Sequence, residues 1–393
     1  MRLTKLSLTD YRNYAVADVT LGPGATTFIG ANGQGKTNLI EAAGYLATLG
    51  SHRVATDAPL IRQGAERAIV RGVVTTAGRD SLLEVEINPG RANRLRVNRA
   101  PARPRDALGI LRCVVFAPED IAIVKGDPDQ RRRYLDDLLV SMRPRYAGVR
   151  TDYERVLRQR TALLKSAKAR GAVPPDALDV WDDQLVSAGA VLTAGRLRLV
   201  AAIRPLLGDC YSAVSGSERD TDLRYRMAAE SGGGTGDGPG NRPVGDPIDR
   251  LAAEDPEPDQ EKIALALREA LAVRRRAELD RAVCLVGPHR DELELRIGGL
   301  PSRGYASHGE CWSLALALRL AAYQLLRGDG DGGDPVLMLD DVFAELDAGR
   351  RDRLATLVAS AEQVLVTAAV PADVPAGLAD ARFRVQAGVI TDG

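Results

Sequence analysis

Gly30-Ala-Asn-Gly-Gln-Gly-Lys36-Thr37 comes directly after the apolar run Ala25-Thr-Thr-Phe-Ile29 and directly before Asn38-Leu-Ile-Glu-Ala. A G-x-x-x-x-G-K-T loop between a strand and a helix is a phosphate cradle. The glycines permit the tight turn, and the N–H groups of residues 33 to 37 converge on an anion at a helix N-terminus. Lys36 is placed to reach the terminal phosphates of a nucleotide, and the Thr37 hydroxyl to ligate Mg²⁺. The candidate nucleotide-binding residues here are Gly30, Asn32, Gly33, Gln34, Gly35, Lys36, Thr37 and Asn38.

Far down the chain, Pro335-Val-Leu-Met-Leu-Asp340-Asp341 is an apolar run ending in two carboxylates. A buried central parallel strand delivers acidic groups to a sheet edge in this way. Asp340 is expected to hold the Mg²⁺ or its water, and Asp341 to orient a water toward the γ-phosphate of ATP. With Lys36 these are the candidate catalytic residues. Ala306-Ser307-His308-Gly309-Glu310 opens a long apolar helix that runs to Arg327. A serine hydroxyl and a glycine N–H at a helix start offer a second anion site, with ordinary N-capping as the other reading of Ser307. A cradle, then a Ser-x-Gly helix start, then an acidic strand is the layout of ATP-binding-cassette enzymes. In these the serine–glycine turn of one subunit covers the ATP held by the cradle of another, so Ser307 and Gly309 join the candidate nucleotide contacts.

Several separated stretches resemble the RecF family of bacterial recombination and repair ATPases, which is related to the heads of SMC proteins. They are Leu3-Thr-Lys-Leu-Ser-Leu-Thr-Asp-Tyr-Arg12-Asn13-Tyr14, the cradle through Glu41, Gly287-Pro-His-Arg-Asp-Glu-Leu293, and Leu339-Asp-Asp-Val-Phe-Ala-Glu-Leu-Asp347. The resemblance runs from residue 1 to about 370. It implies an ATP-dependent homodimer that binds double-stranded or gapped DNA, works with RecO and RecR, and helps load RecA at gaps. ATP and Mg²⁺ are the implied cofactors. It also places Asp347 in the loop through which such dimers sense each other's nucleotide. Arg53, in Leu49-Gly-Ser-His-Arg, stands where related heads carry an arginine near the nucleotide, and a plain solvated arginine is the alternative.

The chain departs from these patterns at three places. Ser307-His308-Gly309 replaces the usual Ser-Gln-Gly. Asp341 stands where most cassette ATPases have a glutamate, so its reach is one methylene shorter and slow turnover is expected. No histidine follows His308, so the switch histidine of transporter cassettes is missing. Thr367, at the end of Gln363-Val-Leu-Val-Thr367, reads as a strand-end threonine with no role, against partial replacement of that histidine's hydrogen bonding. Gly287-Pro-His289-Arg290-Asp291 reads as a supporting network near the nucleotide or the dimer seam, against a loop with a local Arg290–Asp291 pair.

The 393 residues suffice for a sizeable core and two domains. The expected fold is α/β: a P-loop ABC/SMC-like ATPase head with mixed β-sheets, formed by residues 1–124 plus 283–393. A mainly helical insertion of residues 125–282 interrupts it. Within the insertion, 231–258 is rich in Gly, Pro and acidic residues and reads as a flexible loop. No apolar run is expected to span a membrane and no signal-peptide core is evident, which points to the cytoplasm. Four widely spaced cysteines indicate neither a zinc site nor a disulfide framework. The net charge of zero hides local asymmetry. Residues 125–170 carry 13 Lys plus Arg against 6 Asp plus Glu, and residues 209–259 carry 5 against 12. Arg131, Arg132, Arg133, Arg143, Arg145, Arg150, Arg155, Arg158 and Arg160 therefore read as a track for nucleic-acid phosphates, with a solvated helix face as the alternative. Two other functions fit parts of the pattern. One is a transporter ATPase subunit, disfavoured by the cradle-to-serine interval of about 270 residues, far longer than such subunits use. The other is a non-hydrolysing, ATP-liganded scaffold for partner proteins.

Overall fold

In the computed structural model, which describes residues 1–170, 175–230, 258–330 and 332–393, the cradle leaves the end of a central strand. That strand, β3 (Gly24–Ile29), lies in a six-stranded sheet with β8 (Cys113–Phe116), β12 (Val336–Asp340), β13 (Gln363–Ala368), β14 (Ala381–Gln386) and β15 (Val389–Asp392). The order is β15-β14-β3-β13-β12-β8, parallel throughout except for the antiparallel β15 edge. The sheet is covered on both faces, which is why β12 reads as an unbroken apolar run. Val336 and Met338 face the core that contains helix α1 (Lys36–Thr48). Leu337 and Leu339 face the core that contains the C-terminal apolar helix described below. All five residues of β12 are buried, so its last residue, Asp340, is held at a fixed depth at the sheet edge.

A second, antiparallel sheet has the order β2-β1-β4-β5-β6-β7. It is built from β1 (Arg2–Tyr11), β2 (Tyr14–Thr20), β4 (Ala68–Thr76), β5 (Arg79–Ile87), β6 (Arg94–Val97) and β7 (Ala100–Pro101). Strand β4 alternates buried and half-buried residues, as a sheet with one wet face requires. Its inner face packs against α1 from the side opposite the central sheet.

The remaining described residues are mostly helical: α2 (Pro104–Ala107), α3 (Ile121–Lys125), α4 (Pro128–Met142), α5 (Arg145–Arg170), α6 (Pro175–Ser215), α7 (Gln260–Arg281), α8 (His308–Gly328) and α9 (Ala348–Val358). A small sheet, β9 (Thr221–Arg226), β10 (Glu292–Ile297) and β11 (Leu300–Pro301), packs with them in the order β11-β10-β9. Two expectations need correction. The line expected at 282/283 passes through this sheet, because β9 lies before it and is hydrogen-bonded to β10 after it. And α6 is, by length and apolar composition, able to cross a membrane. Most of that stretch is instead buried, packed against α5, α7 and α8, as the core helix of the bundle. The loop expected at 231–258 falls, apart from Pro258, outside the described residues.

Candidate nucleotide-binding site

The cradle closes against its surroundings so tightly that two glycines are obligatory. A Cβ on Gly30 would lie 2.2 Å from the carbonyl oxygen of Val385 in β14. Gly35 has φ of 118°, and a Cβ there would lie within 2.9 Å of Asn13 and Tyr14. Gly35 is the N-cap of α1 and has no side chain to satisfy the first helical N–H groups. Those donors face the loop interior, the arrangement that receives a phosphate.

Lys36 is buried, yet every contact of its ammonium is long: 3.4 Å to the Ala31 carbonyl, 3.5 Å to Asn32 Oδ1 and 3.7 Å to Asp341 Oδ2. A buried cation so weakly held is well matched to a polyanionic ligand. Thr37 Oγ1 donates to Asp340 Oδ1 at 3.0 Å, joining the two residues expected to share Mg²⁺ although they are 303 positions apart. A hydroxyl and a carboxylate converging in this way are oxygen donors suited to a hard divalent cation. Burial pushes the Asp340 carboxyl up to about 6, against the lowering effect of its bonds from Thr367 and Thr37, with Asp341 and Glu119 adding negative charge nearby. Glu119, just before α3, carries no sequence signal that marked it as part of the site.

Asp341 adopts a left-handed conformation, φ 50° and ψ 19°. Aspartate tolerates this region better than most non-glycine residues. Its Oδ1 is buried without a hydrogen-bond partner among the described residues. Thr367 secures both aspartates: its hydroxyl donates to Asp340 Oδ1 at 2.7 Å and accepts from the Asp341 N–H at 2.8 Å. The expectation that Thr367 has no role is thereby overturned. Register decides it, since Thr367 pairs with Asp340 across parallel strands β13 and β12.

The N-terminal Arg12-Asn13-Tyr14 stretch latches onto the cradle. Arg12 makes a bidentate pair with Glu41 of α1, at 2.8 and 2.6 Å. Asn13 donates to the Gln34 carbonyl and accepts from Asn38 Nδ2, and the Tyr14 hydroxyl donates to the Gly35 carbonyl. Glu41 is fully buried and also accepts from Ser51 Oγ at 2.5 Å. Burial alone would raise its carboxyl, but the bonds from Arg12 and Ser51 hold it below the usual range. Arg53 bonds Asn38 Oδ1 at 3.1 Å and approaches Glu41 at 3.6 Å, so it is fixed beside the first turn of α1 rather than loose in solvent. Glu41 was visible in the sequence only as a helix residue; its partners come from three separate segments.

Ser307, Gly309 and Asp347 are not joined to this cluster by any described bond. Ser307 forms a capping box with Glu310 at the start of α8. Arg350 connects the other two: its guanidinium lies against Gly309 and bonds Asp347 Oδ2 at 2.8 Å. His308 Nδ1 meets the Lys125 ammonium at 3.1 Å. The turn and the Asp347 loop thus form one surface, distinct from the cradle of the same chain.

The other two readings from sequence change. Within 125–170, Arg131 and Arg160 are buried, paired with Glu292 and with Glu278 plus Asp182. Arg132 bonds the Asp291 carbonyl, Arg133 the Ser51 carbonyl, Arg143 pairs with Asp329 and Arg150 with Asp137. Much of the positive excess is consumed inside the molecule, and no continuous phosphate track results. In 287–291 there is no Arg290–Asp291 pair among the described residues. Asp291 is buried and accepts from the Tyr225 hydroxyl and the Ala228 N–H, while His289 meets Tyr153. This network ties β9 and β10 to α5 and α6, and not to the cradle.

A model of the RecF/RecN/SMC N-terminal domain matches residues 2–385. The protein named DNA replication and repair protein RecF from Kineococcus radiotolerans is 56% identical over 385 residues, covering 96% of this chain and 95% of that one. The chain belongs to the RecF family. A RecF relative from Frankia alni is 54% identical with 99% of both chains covered. A solved structure described as the recombination mediator protein RecF with ATP in the RecFOR pathway superposes with a TM-score of 0.85 at 26% identity. It covers all of this chain and 97% of that one. An SMC head bound to the C-terminal winged-helix domain of ScpA, at 17% identity and a TM-score of 0.55, shares the fold. RecF-family membership makes this an ATP-binding, ATPase-type head of a DNA replication and repair protein.

Proposed function

We propose that this chain is an ATP-gated DNA clamp of recombinational gap repair and replication-fork maintenance, acting in the cytoplasm with RecO and RecR to assist RecA loading. Two copies close around two ATP molecules. Each nucleotide is held by residues Gly30 to Asn38, Arg53 and Asp340 of one copy and covered by Ser307, Gly309 and the Asp347 loop of the other. The observation that carries this reading is the separation of the two half-sites within one chain: a complete cradle and a complete Ser-x-Gly surface, with no described bond between them. Residues near 125–280 form the helical lobe, which the β9–β11 sheet attaches to the ATPase half.

Thr37 and Asp340 would hold Mg²⁺, which when bound neutralises charge on the phosphates. Lys36 binds the terminal phosphates, and Asp341 orients the attacking water. Because Asp341 is short and held in a fixed left-handed conformation, hydrolysis is slow, and DNA speeds it by favouring the closed dimer. Release of the clamp follows hydrolysis. The names of the relatives and the RecFOR description of the similar structure support the pathway.

Affinity for duplex, single-stranded and gapped DNA, measured at one fixed salt concentration with and without Mg·ATP, tests this function. Tighter binding to duplex or gapped DNA only with ATP is the expected result. Binding unaffected by ATP would contradict the clamp.

A further inference from the structure

Eight large apolar side chains are exposed among the described residues, and five of them surround the two half-sites. Scattered exposed apolar residues are ordinary, so their positions carry the information. Val16, Val370 and Val389 ring the cradle, with exposures from 48 to 67%. Val16 lies two residues past Tyr14, whose hydroxyl bonds Gly35. Val370 lies two residues past Ala368, whose carbonyl accepts from the Gly30 N–H. Val389 follows Ala387 and Gly388, whose N–H groups bond the side chain and the carbonyl of Gln34, and its strand β15 packs beside β2.

The other two flank the Ser-x-Gly turn. Tyr305, 67% exposed, stands two residues before Ser307 and is the one exposed aromatic side chain among the described residues. Leu300, 54% exposed, closes the Gly298-Gly299 turn between β10 and β11 at the base of the same segment. The remaining three, Val180, Leu265 and Val273, lie away on α6 and α7.

We propose that Leu300 and Tyr305 of one copy pack on Val16, Val370 and Val389 of a second copy, forming an apolar seam along each nucleotide. The inference rests on the shared-site reading above, and adds the surfaces that hold the dimer apart from the nucleotide itself. In a two-fold dimer with the turn of each copy over the cradle of the other, the patch beside each turn arrives at the patch beside the opposite cradle. The contact is made twice by symmetry. Within one chain each patch is open to water; together they remove it, and an aromatic anchor at such a patch is the usual bearer of interface energy. ATP gating follows, because the nucleotide supplies the polar centre and the seam its apolar border.

The test is cross-linking of the double variant Tyr305→Cys/Val389→Cys in the full chain with a short bismaleimide, read beside sedimentation of the same sample. Background is low because Cys210, Cys284 and Cys311 are buried and Cys113 is half-buried. A cross-linked dimer with Mg·ATP and none without it is expected, and none from Tyr305→Cys/Val180→Cys. In parallel, Tyr305→Asp weakens ATP-dependent dimerisation by about tenfold or more, whereas Val180→Asp leaves it unchanged. Sedimentation that shows an ATP-dependent dimer while the 305/389 pair stays unlinked overturns the seam and leaves the shared site standing. Absence of any ATP-dependent dimer in the unmodified chain overturns both.

Discussion

Replacing Thr367 with valine keeps the shape of a fully buried side chain and deletes one hydroxyl. That hydroxyl makes two bonds at once. The bond to Asp340 at 2.7 Å is to a buried carboxylate, and hydrogen bonds to charged groups contribute about 1.5–3 kcal/mol. The bond from the Asp341 N–H at 2.8 Å would leave a backbone donor without its partner, at a cost of about 1–3 kcal/mol. Thr367→Val is therefore expected to destabilise the chain by about 3 kcal/mol, a large part of the stability of an ordinary domain. Thr367→Ser retains both bonds and loses only a methyl group, for about 1 kcal/mol. Urea unfolding of the two variants side by side measures the difference. ATP turnover should fall with Thr367→Val and persist with Thr367→Ser, because the hydroxyl fixes the backbone of the water-orienting residue. A valine variant within about 0.5 kcal/mol of the parent, with unchanged turnover, would refute the reasoning.

Arg160→Ala leaves Glu278 buried and unpaired, so a loss of about 3–5 kcal/mol in urea unfolding is expected. The double replacement Arg160→Met/Glu278→Leu should recover much of it, because an apolar pair removes the uncompensated charge. Arg12→Ala strips the bidentate partner from buried Glu41 and should weaken ATP binding as well as stability, checked by nucleotide titration of the folded variant. In the β9–β10 network, burial lowers the His289 imidazole to about 4, so its contribution is present above its ordinary value near 6.5 and is lost as pH falls toward 4. Burial raises the neighbouring Asp291 to about 6, so its contribution is present below about 4 and is lost as pH rises through 6. The two oppose each other between pH 4 and 6. His289→Gln should thus expose the Asp291 term, giving stability that rises as pH falls across that window, measured by urea midpoints at several pH values.

Local chemistry was legible in the sequence and long-range pairing was not. The cradle, the acidic end of β12 and the capped start of α8 announce themselves through contiguous patterns, because a P-loop, a doubly covered strand and an N-cap are each specified by neighbours in the chain. Thr367 could not be read this way. Its value comes from register with Asp340 on an adjacent parallel strand, and nothing in Gln363 to Thr367 encodes that register. The arginines of 125–170 misled for a related reason. Charge counted along the chain ignores partners such as Glu278 and Glu292, more than a hundred residues away, that draw Arg160 and Arg131 into the interior. Glu41 and Glu119 were silent because a lone carboxylate on a helix or in a loop has no signature until the fold brings its neighbours in. The 282/283 line failed because β9 pairs with strands that follow a long helix, a connection that composition shifts do not mark.

The shared site is tested most directly by mixing two inactive variants. Lys36→Ala spoils the cradle and keeps the turn, while Ser307→Arg spoils the turn and keeps the cradle, so each alone should lack ATP turnover. Combined, the cradle of one and the turn of the other make one intact composite site per mixed dimer. Random pairing would restore up to about a quarter of the parent activity at equal concentrations. Recovery on mixing is the result the account predicts. Full activity of Ser307→Arg alone, or no recovery from the mixture, would contradict it.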